Sequence, residues 1–81
     1  MKKSINVRYF ALFREQAGID GETLELSAAT AGDVFRQLAH RHGAVEPLAH
    51  CKVAINDEMV DWDAPVADGD TVLLFPPVAG G

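Results

Sequence analysis

The stretch that decides the fold runs from Thr30 to Gly43 and has the sequence TAGDVFRQLAHRHG. Thr30 followed by Asp33 is a helix start signal, because the hydroxyl accepts an unpaired backbone N–H and the carboxylate favours the positive helix end. Gly43 supplies a stop. Between them the apolar residues recur at spacings of three and four and form one stripe, made of Val34, Phe35, Leu38 and Ala39. We therefore predict one amphipathic helix over 31–42.

Segments with apolar residues at every second position flank this helix and predict strands. A short helical turn over 11–17, closed by Gly18, separates the first two strands. The predicted strands are 4–10, 22–26, 52–55, 58–60 and 71–75. The order β, β, α, β, short β, β predicts an α+β fold, with a mixed sheet and one main helix packed on one face. This is the ubiquitin-like β-grasp architecture.

The sheet face that the helix leaves uncovered is predicted to carry apolar side chains. Strand alternation places Phe10 and Phe75 on that face, with Met59 as a neighbour. Exposed apolar side chains gathered together usually mark a binding surface, whereas scattered ones are ordinary for a protein surface. We therefore take Phe10, Met59 and Phe75 as a candidate partner-binding site, called the apolar patch below.

Length and composition indicate a single small domain. The chain has 81 residues, and its one cysteine, Cys51, cannot form an internal disulfide. A chain without disulfides suits a reducing compartment, so we expect a cytoplasmic protein. The polar first residues and the lack of a long apolar run lead us to expect neither a signal peptide nor a membrane anchor.

The charge is acidic overall and unevenly distributed. A net charge of −5 argues against nucleic acid or an anionic membrane as the main partner. All seven Lys and Arg lie within residues 1–52, and the later part holds only acids, namely Asp57, Glu58, Asp61, Asp63, Asp68 and Asp70. This acidic block is either a solvated surface or a surface that steers the chain onto a basic partner.

No residue pattern predicts a metal site or a catalytic side chain. His40 and His42 lie two apart on the helix and point to different sides, and no zinc-type ligand set includes His50. We expect all three histidines to be solvated. Cys51 is expected to be a small buried residue and Trp62 a packing residue.

The end of the chain predicts a projecting arm. Pro76 and Pro77 lack N–H donors, so strand pairing must stop there. The predicted organisation is a β-grasp domain over 1–75 and a flexible arm over 76–81. Two terminal glycines, Gly80 and Gly81, leave the carboxylate without side chains nearby, so that it can thread a narrow channel.

At this level of detail the chain resembles a known family, the small subunit of molybdopterin synthase, over nearly its whole length. The ending FPPVAGG at 75–81, preceded by DGD at 68–70, is similar to that family's signature. The opening VRYFA at 7–11 and the pair Arg14-Glu15 are similar as well. The family more often has Ser or Thr where this chain has Ala79.

The resemblance implies a sulfur carrier without a bound cofactor and without catalytic activity of its own. A ubiquitin-activating-type adenylyltransferase would use ATP to adenylate the Gly81 carboxylate, and a sulfur donor would convert it to a thiocarboxylate. The arm would then enter the large subunit of molybdopterin synthase, in a heterotetramer, and sulfur would pass to cyclic pyranopterin monophosphate. The implied channel-threading residues are Pro76, Pro77, Val78, Ala79 and Gly80.

Three other functions stay open on the sequence. A sulfur carrier for thiazole synthesis would share the fold and the Gly-Gly end. A ubiquitin-like modifier would join Gly81 to lysines of target proteins. A binding module would use the folded domain alone, and its chain end would do nothing.

Overall fold

The computed structural model describes residues 2–43 and 48–76. Its elements, in chain order, are β1 (Lys3–Tyr9), α1 (Leu12–Ala17), β2 (Gly21–Leu26), α2 (Ala31–His42), a 3-10 turn (Leu48–His50), β3 (Lys52–Ile55), β4 (Glu58–Val60) and β5 (Thr71–Phe75). The bounds of α2, β3, β4 and β5 are those predicted. Those of β1, α1 and β2 differ from the prediction by one residue, and the 3-10 turn was not predicted.

The five strands form one mixed sheet in the order β2-β1-β5-β3-β4. β1 and β5 are parallel, and the other neighbours are antiparallel. This confirms the predicted α+β class with one long helix. β5 occupies the centre of the sheet, so the strand that leads to the chain end is held on both sides.

Helix α2 begins and ends as its sequence predicts. Thr30 Oγ1 accepts a hydrogen bond from the Asp33 N–H, and Asp33 Oδ2 accepts one from the Thr30 N–H. Asp33 also accepts from the Ala29 N–H and from Arg36, and these bonds together lower the pKa of its carboxyl group. Gly43 adopts a left-handed conformation at the other end. Such reciprocal caps pair backbone groups that a helix leaves open.

The core lies between α2 and one face of the sheet. The largest of its fully buried side chains are Ile5, Val7, Val34, Cys51, Val53 and Val72. Trp62 packs edge-on against Phe35, with ring centroids 5.1 Å apart, which confirms its predicted packing role. Cys51 is buried, as predicted. The opposite face of the sheet is therefore left for other contacts.

Two turns fix the start of β5. Asn56 and Asp57 both have positive φ, as a two-residue hairpin turn of the type I′ class requires. Asn56 Oδ1 accepts from the Thr71 N–H, and the Asn56 amide donates to Asp70. Gly69 takes a φ of 88° in the turn before β5. The strand is thus anchored where it begins.

Among the described residues, no helix has the length and apolar character that crossing a bilayer requires.

Candidate functional site

The base of the arm lies at the end of the central strand. β5 ends at Phe75, and Pro76 is the last described residue of the chain. The remaining arm residues that the sequence singled out, Pro77, Val78, Ala79, Gly80 and Gly81, lie outside the described residues. Their roles, and the division into 1–75 and 76–81, stay predictions. Five extended residues after Pro76 span at most about 18 Å, at ~3.3–3.6 Å per residue.

Phe10 and Phe75 meet at this base. The parallel register pairs Tyr9 with Leu74, which places the next residue of each strand side by side on the outer face. The two rings are stacked, with centroids 4.8 Å apart and planes at 17°. Aromatic pairs of this kind contribute about 0.5–1.5 kcal/mol beyond their buried area. The structure therefore brings together two members of the predicted patch, and Phe10 remains 36% exposed.

Met59 lies on the same face, in β4, two strands away from β5. The register pairs Ala54 with both Met59 and Leu73, so these three form one row across the sheet. Met59 is 59% exposed, the largest value among the large apolar side chains described. Leu73 belongs to the apolar patch as well, which therefore consists of Phe10, Met59, Leu73 and Phe75.

Cations and one acid lie close to the apolar patch, because Asp61 borders the same surface hollow as Met59 and Lys52. Lys52 pairs with Phe75, and Arg8 pairs with Leu73, both as exposed residues. Asp57 follows the end of β3, and Asp70 precedes β5, so both lie at the opposite end of the sheet from Phe75. Of the acidic block, Asp57 and Asp70 therefore lie away from the Phe75 end of the patch, whereas Asp61 lies beside Met59.

His42 corrects a prediction, because it is not solvated. Its side chain is 18% exposed, and Nε2 lies 2.6 Å from Glu22 Oε2 and 3.2 Å from the Tyr9 hydroxyl. The Tyr9 hydroxyl donates to the same Glu22 oxygen at 2.5 Å. The C-terminal end of α2 is thereby joined to β1 and β2. A signal was present in the sequence: Glu22 shares the inward phase of Leu24, and an inward carboxylate needs partners.

Protonation in this cluster follows from its geometry. The single hydroxyl proton of Tyr9 goes to Glu22, so the short contact from His42 requires a proton on Nε2. Burial, and then the bond to Glu22, raise the pKa of Tyr9 far above its usual range. Burial alone would raise the pKa of Glu22. The hydrogen bonds from Tyr9 and His42, together with the charges of His42 and Arg41, outweigh it and lower that pKa.

The cavity beside the rings of Tyr9 and His42 is too small for a cofactor. A cavity of about 20 Å³ lies beside Tyr9 and His42, and it is lined also by Phe13, Gln16 and Phe35. Binding sites for small molecules usually measure ~300–1,000 Å³, so this one is smaller by more than tenfold. Within residues 2–43 and 48–76, no group of three or more His, Cys, Asp or Glu is placed to hold a metal.

The backbone between Phe10 and α1 is strained. Ala11 has φ 49° and ψ −121°, a backbone conformation that residues other than glycine rarely adopt. Such a residue costs on the order of 1–3 kcal/mol and persists only where its surroundings impose it. The strain therefore lies directly beside the Phe10–Phe75 stack.

Comparison with known proteins decides the family. Residues 7–81 match the model of the ThiS family. The chain belongs to the ThiS family. Relatives of this ThiS-family chain include the molybdopterin synthase sulfur carrier subunits of Haemophilus influenzae, at 41% identity over 95% of this chain and 99% of the relative, and of Chlamydomonas reinhardtii, at 39% over 95% and 98%. The resemblance to that family of small subunits is confirmed.

Other proteins similar to this chain carry different names. Small archaeal modifier protein 3 of Haloferax volcanii is 37% identical over 95% of this chain and 98% of the relative. Among solved structures, one subunit in a complex of subunits 1 and 2 of molybdopterin-converting factor from Helicobacter pylori is 32% identical, with a TM-score of 0.63 over 96% of this chain and 99% of that one. A ubiquitin of Caldiarchaeum subterraneum, 20% identical with a TM-score of 0.66 over the full length of both chains, confirms the ubiquitin-like fold.

Proposed function

We propose that this chain is a sulfur carrier of molybdenum cofactor biosynthesis, acting through the carboxyl group of Gly81. The observation that carries the proposal is similarity along the whole chain to sulfur carrier subunits of molybdopterin synthase. The match to the ThiS family extends through the Gly-Gly end at residue 81. The chain supplies the reacting group, and the enzymes that act on it supply the catalysis.

The chemistry requires two steps at the terminal carbon. A carboxylate oxygen of Gly81 attacks the α-phosphorus of ATP on a ubiquitin-activating-type enzyme, and pyrophosphate leaves. Hydrosulfide, which the sulfur donor supplies, then attacks the carbonyl carbon of the acyl-adenylate and displaces AMP, and the product is a thiocarboxylate. The sulfur atom of the thiocarboxylate is a nucleophile, and it is transferred to cyclic pyranopterin monophosphate. Glycine suits both steps because no side chain hinders the approach to the carbonyl.

The large subunit of molybdopterin synthase is the proposed partner, in a heterotetramer with this chain. The Helicobacter pylori complex of subunits 1 and 2 supports such a pairing. On this chain the apolar patch includes Phe75 at the base of the arm, so that docking of Phe75 and insertion of the arm are one event. A partner with an apolar pocket rimmed by acids would match Lys52 and Arg8, which pair with patch residues in the sheet.

Intact-mass analysis tests the proposal. The chain is incubated with ATP, a ubiquitin-activating-type enzyme and a sulfur donor, and a chain lacking Gly81 serves as the control. Exchange of one oxygen for one sulfur, seen only with ATP and only in the full chain, is the expected result. Transfer of that sulfur to the pterin in the presence of the large subunit completes the assignment. An unchanged mass would exclude the carrier function.

A second candidate is a protein modifier that joins Gly81 to lysines. The similarity to small archaeal modifier protein 3 supports it. Both functions share the adenylated intermediate and differ in the acceptor, which is sulfur in one case and a lysine amine in the other. In the same incubation with cell protein added, conjugates of increased mass would identify the modifier. Sulfur delivered to a thiazole synthase instead of the pterin would identify the thiazole pathway.

A further inference from the structure

The Tyr9–Glu22–His42 cluster lies on the helix side of the sheet, at the same end as the arm. Tyr9 pairs with Leu74, and the following residues on each chain are Phe10 and Phe75. Only one peptide unit therefore separates the buried cluster from the aromatic stack on the outer face. None of the proposed chemistry uses the cluster, although it holds three polar groups in one small space.

The cluster fixes Tyr9 from two elements. Its hydroxyl is bonded to Glu22 of β2, and its ring meets the ring of His42 edge-on at 5.4 Å and 85°. Arg41 adds a cation 3.8 Å from the other oxygen of Glu22. Tyr9 is 4% exposed, so its ring has little freedom. These contacts of Tyr9 fix the position of the end of β1.

The far side of Phe10 is held as well. Phe13 is 5% exposed and packs edge-on against Phe35, with ring centroids 5.8 Å apart. Its N–H donates to the Phe10 carbonyl oxygen at 3.1 Å. The strained residue Ala11 lies between these two fixed points, which is the arrangement that keeps an unfavourable φ in place.

We propose that Tyr9, Glu22 and His42 form a positioning clasp, which together with the strained turn at Ala11 directs Phe10 onto Phe75 at the base of the arm. These are positioning residues, because the hydrogen bonds that join their side chains are to one another and they act through Phe10. The consequence for docking rests on the proposed sulfur-carrier function. The consequence for the local stability of the Phe10–Phe75 stack does not.

Hydrogen exchange separates a local role from a general structural one. Asn56 donates to the Thr71 carbonyl, so alternation along this antiparallel ladder makes Ala54–Leu73 and Lys52–Phe75 hydrogen-bonded pairs. The Phe75 amide reports on the base of the arm, and the Ala54 amide reports on the same ladder further inside. In His42→Ala, protection at Phe75 should fall about tenfold more than protection at Ala54.

A matched variant tests the chemistry of the clasp. The side-chain amide of His42→Gln can donate to Glu22 from nearly the position of Nε2, so it should restore protection at Phe75. With the large subunit present, His42→Ala should raise the KM for the carrier by about tenfold and leave kcat within about twofold, because docking is impaired and chemistry is not. His42→Gln should return the KM toward the wild-type value.

The Ala11→Gly variant separates the positioning of Phe10 from the overall stability of the fold. Glycine adopts this φ without strain, so the variant should unfold at no lower denaturant concentration than the wild type. Phe10 would no longer be directed by the backbone, so the KM for the carrier should still rise and Phe75 should lose protection. Greater stability together with weaker docking is not expected of a residue whose role is only structural.

Three results would overturn the clasp. One is equal loss of protection at Phe75 and Ala54 in His42→Ala, another is no rescue by His42→Gln, and the third is an Ala11→Gly protein with wild-type KM and protection. If the wild-type chain accepts no sulfur at all, the proposed function fails. Hydrogen exchange on the free chain still tests the clasp, because that measurement does not depend on sulfur transfer.

Discussion

The hydroxyl of Tyr9 donates its proton to Glu22 Oε2, and this is the one tyrosine of the chain. Tyrosinate absorbance therefore reports on this buried contact without interference. Trp62 is likewise the one tryptophan, and it packs against Phe35 in the core. Its fluorescence reports on unfolding. The protein thus contains separate optical probes for the cluster and for the fold.

Tyr9 should ionise only when the protein unfolds. Burial raises its pKa in the folded state, so the folded protein holds this proton more tightly than the unfolded chain does. Its contribution to stability is complete below about pH 10, the unfolded value, and is lost as the pH rises further. Tyrosinate absorbance and the change in Trp62 fluorescence should therefore appear together in an alkaline titration.

A Tyr9→Phe chain supplies the control for that titration, because it lacks the ionising group. Its stability should depend less on pH in the alkaline range than that of the wild type. Tyrosinate absorbance that rises near pH 10 while Trp62 fluorescence stays native would contradict the buried hydrogen bond.

Glu22 should make the fold sensitive to acid. Its pKa is lowered in the folded state, so its contribution is present above about pH 4.3, the unfolded value, and is lost as the pH falls through the folded value. Between about pH 6 and pH 3, the urea midpoint of the wild type should fall more than that of Glu22→Gln. Asp33, whose pKa is lowered as well, contributes to the same trend, so Asp33→Asn is measured in parallel. Equal slopes for the wild type and Glu22→Gln would exclude the effect.

Phe75→Asp should leave the chain folded and weaken binding to both the activating enzyme and the large subunit. A charge placed in the middle of the apolar patch must be desolvated on docking, and hot-spot residues of this kind contribute about 2 kcal/mol or more, roughly 30-fold in Kd. Thr23→Asp adds the same charge on the same sheet face, but on β2, away from the patch. Titration calorimetry should show a loss for the first variant and little change for the second. Similar affinities for both variants would remove the patch from the interface.

One residue added after Gly81 should abolish sulfur transfer while docking persists. The extra residue moves the chain end by up to ~3.3–3.6 Å, and misplacing a reacting group by about 1 Å can cost ~100-fold in rate. Thiocarboxylate formation and partner affinity are measured on the same preparations. Ala79→Ser, which restores a residue more usual in the related small subunits, should behave as the wild type. Normal turnover by an extended chain that is not trimmed would show that Gly81 is not the sulfur-bearing residue.

Local signals in the sequence were enough for most of the fold. The Thr30 and Asp33 cap, the Asn56-Asp57 turn and the alternation through β5 each depend on neighbours in the chain, and all were confirmed. Strand alternation also placed Phe10 beside Phe75 correctly. Strand alternation could not predict that Met59 lies in one row with Ala54 and Leu73, because that row depends on the pairing of β3 with both β4 and β5.

The errors concern contacts between residues distant in the chain. His42 appeared to be a solvated helix-end residue, since its partners Tyr9 and Glu22 lie 33 and 20 positions away. A charge at an inward strand position was the available clue, but its partner depends on where the end of α2 meets the sheet. The backbone of Ala11 was equally beyond prediction, because alanine has no preference for positive φ and tertiary packing imposes it.

The parallel pairing of β1 with β5 has a mechanical consequence. Four register pairs, from Asn6–Thr71 to Tyr9–Leu74, join the first and last strands, and Phe75 ends β5 at the end from which the arm continues. When a partner pulls on the arm while the rest of the domain is held, the load acts along these strands and strains their hydrogen bonds together in shear. They do not open one after another as in peeling. If the arm is drawn into an enzyme channel, as the proposed function requires, this pairing protects the domain from unfolding from its C-terminal end.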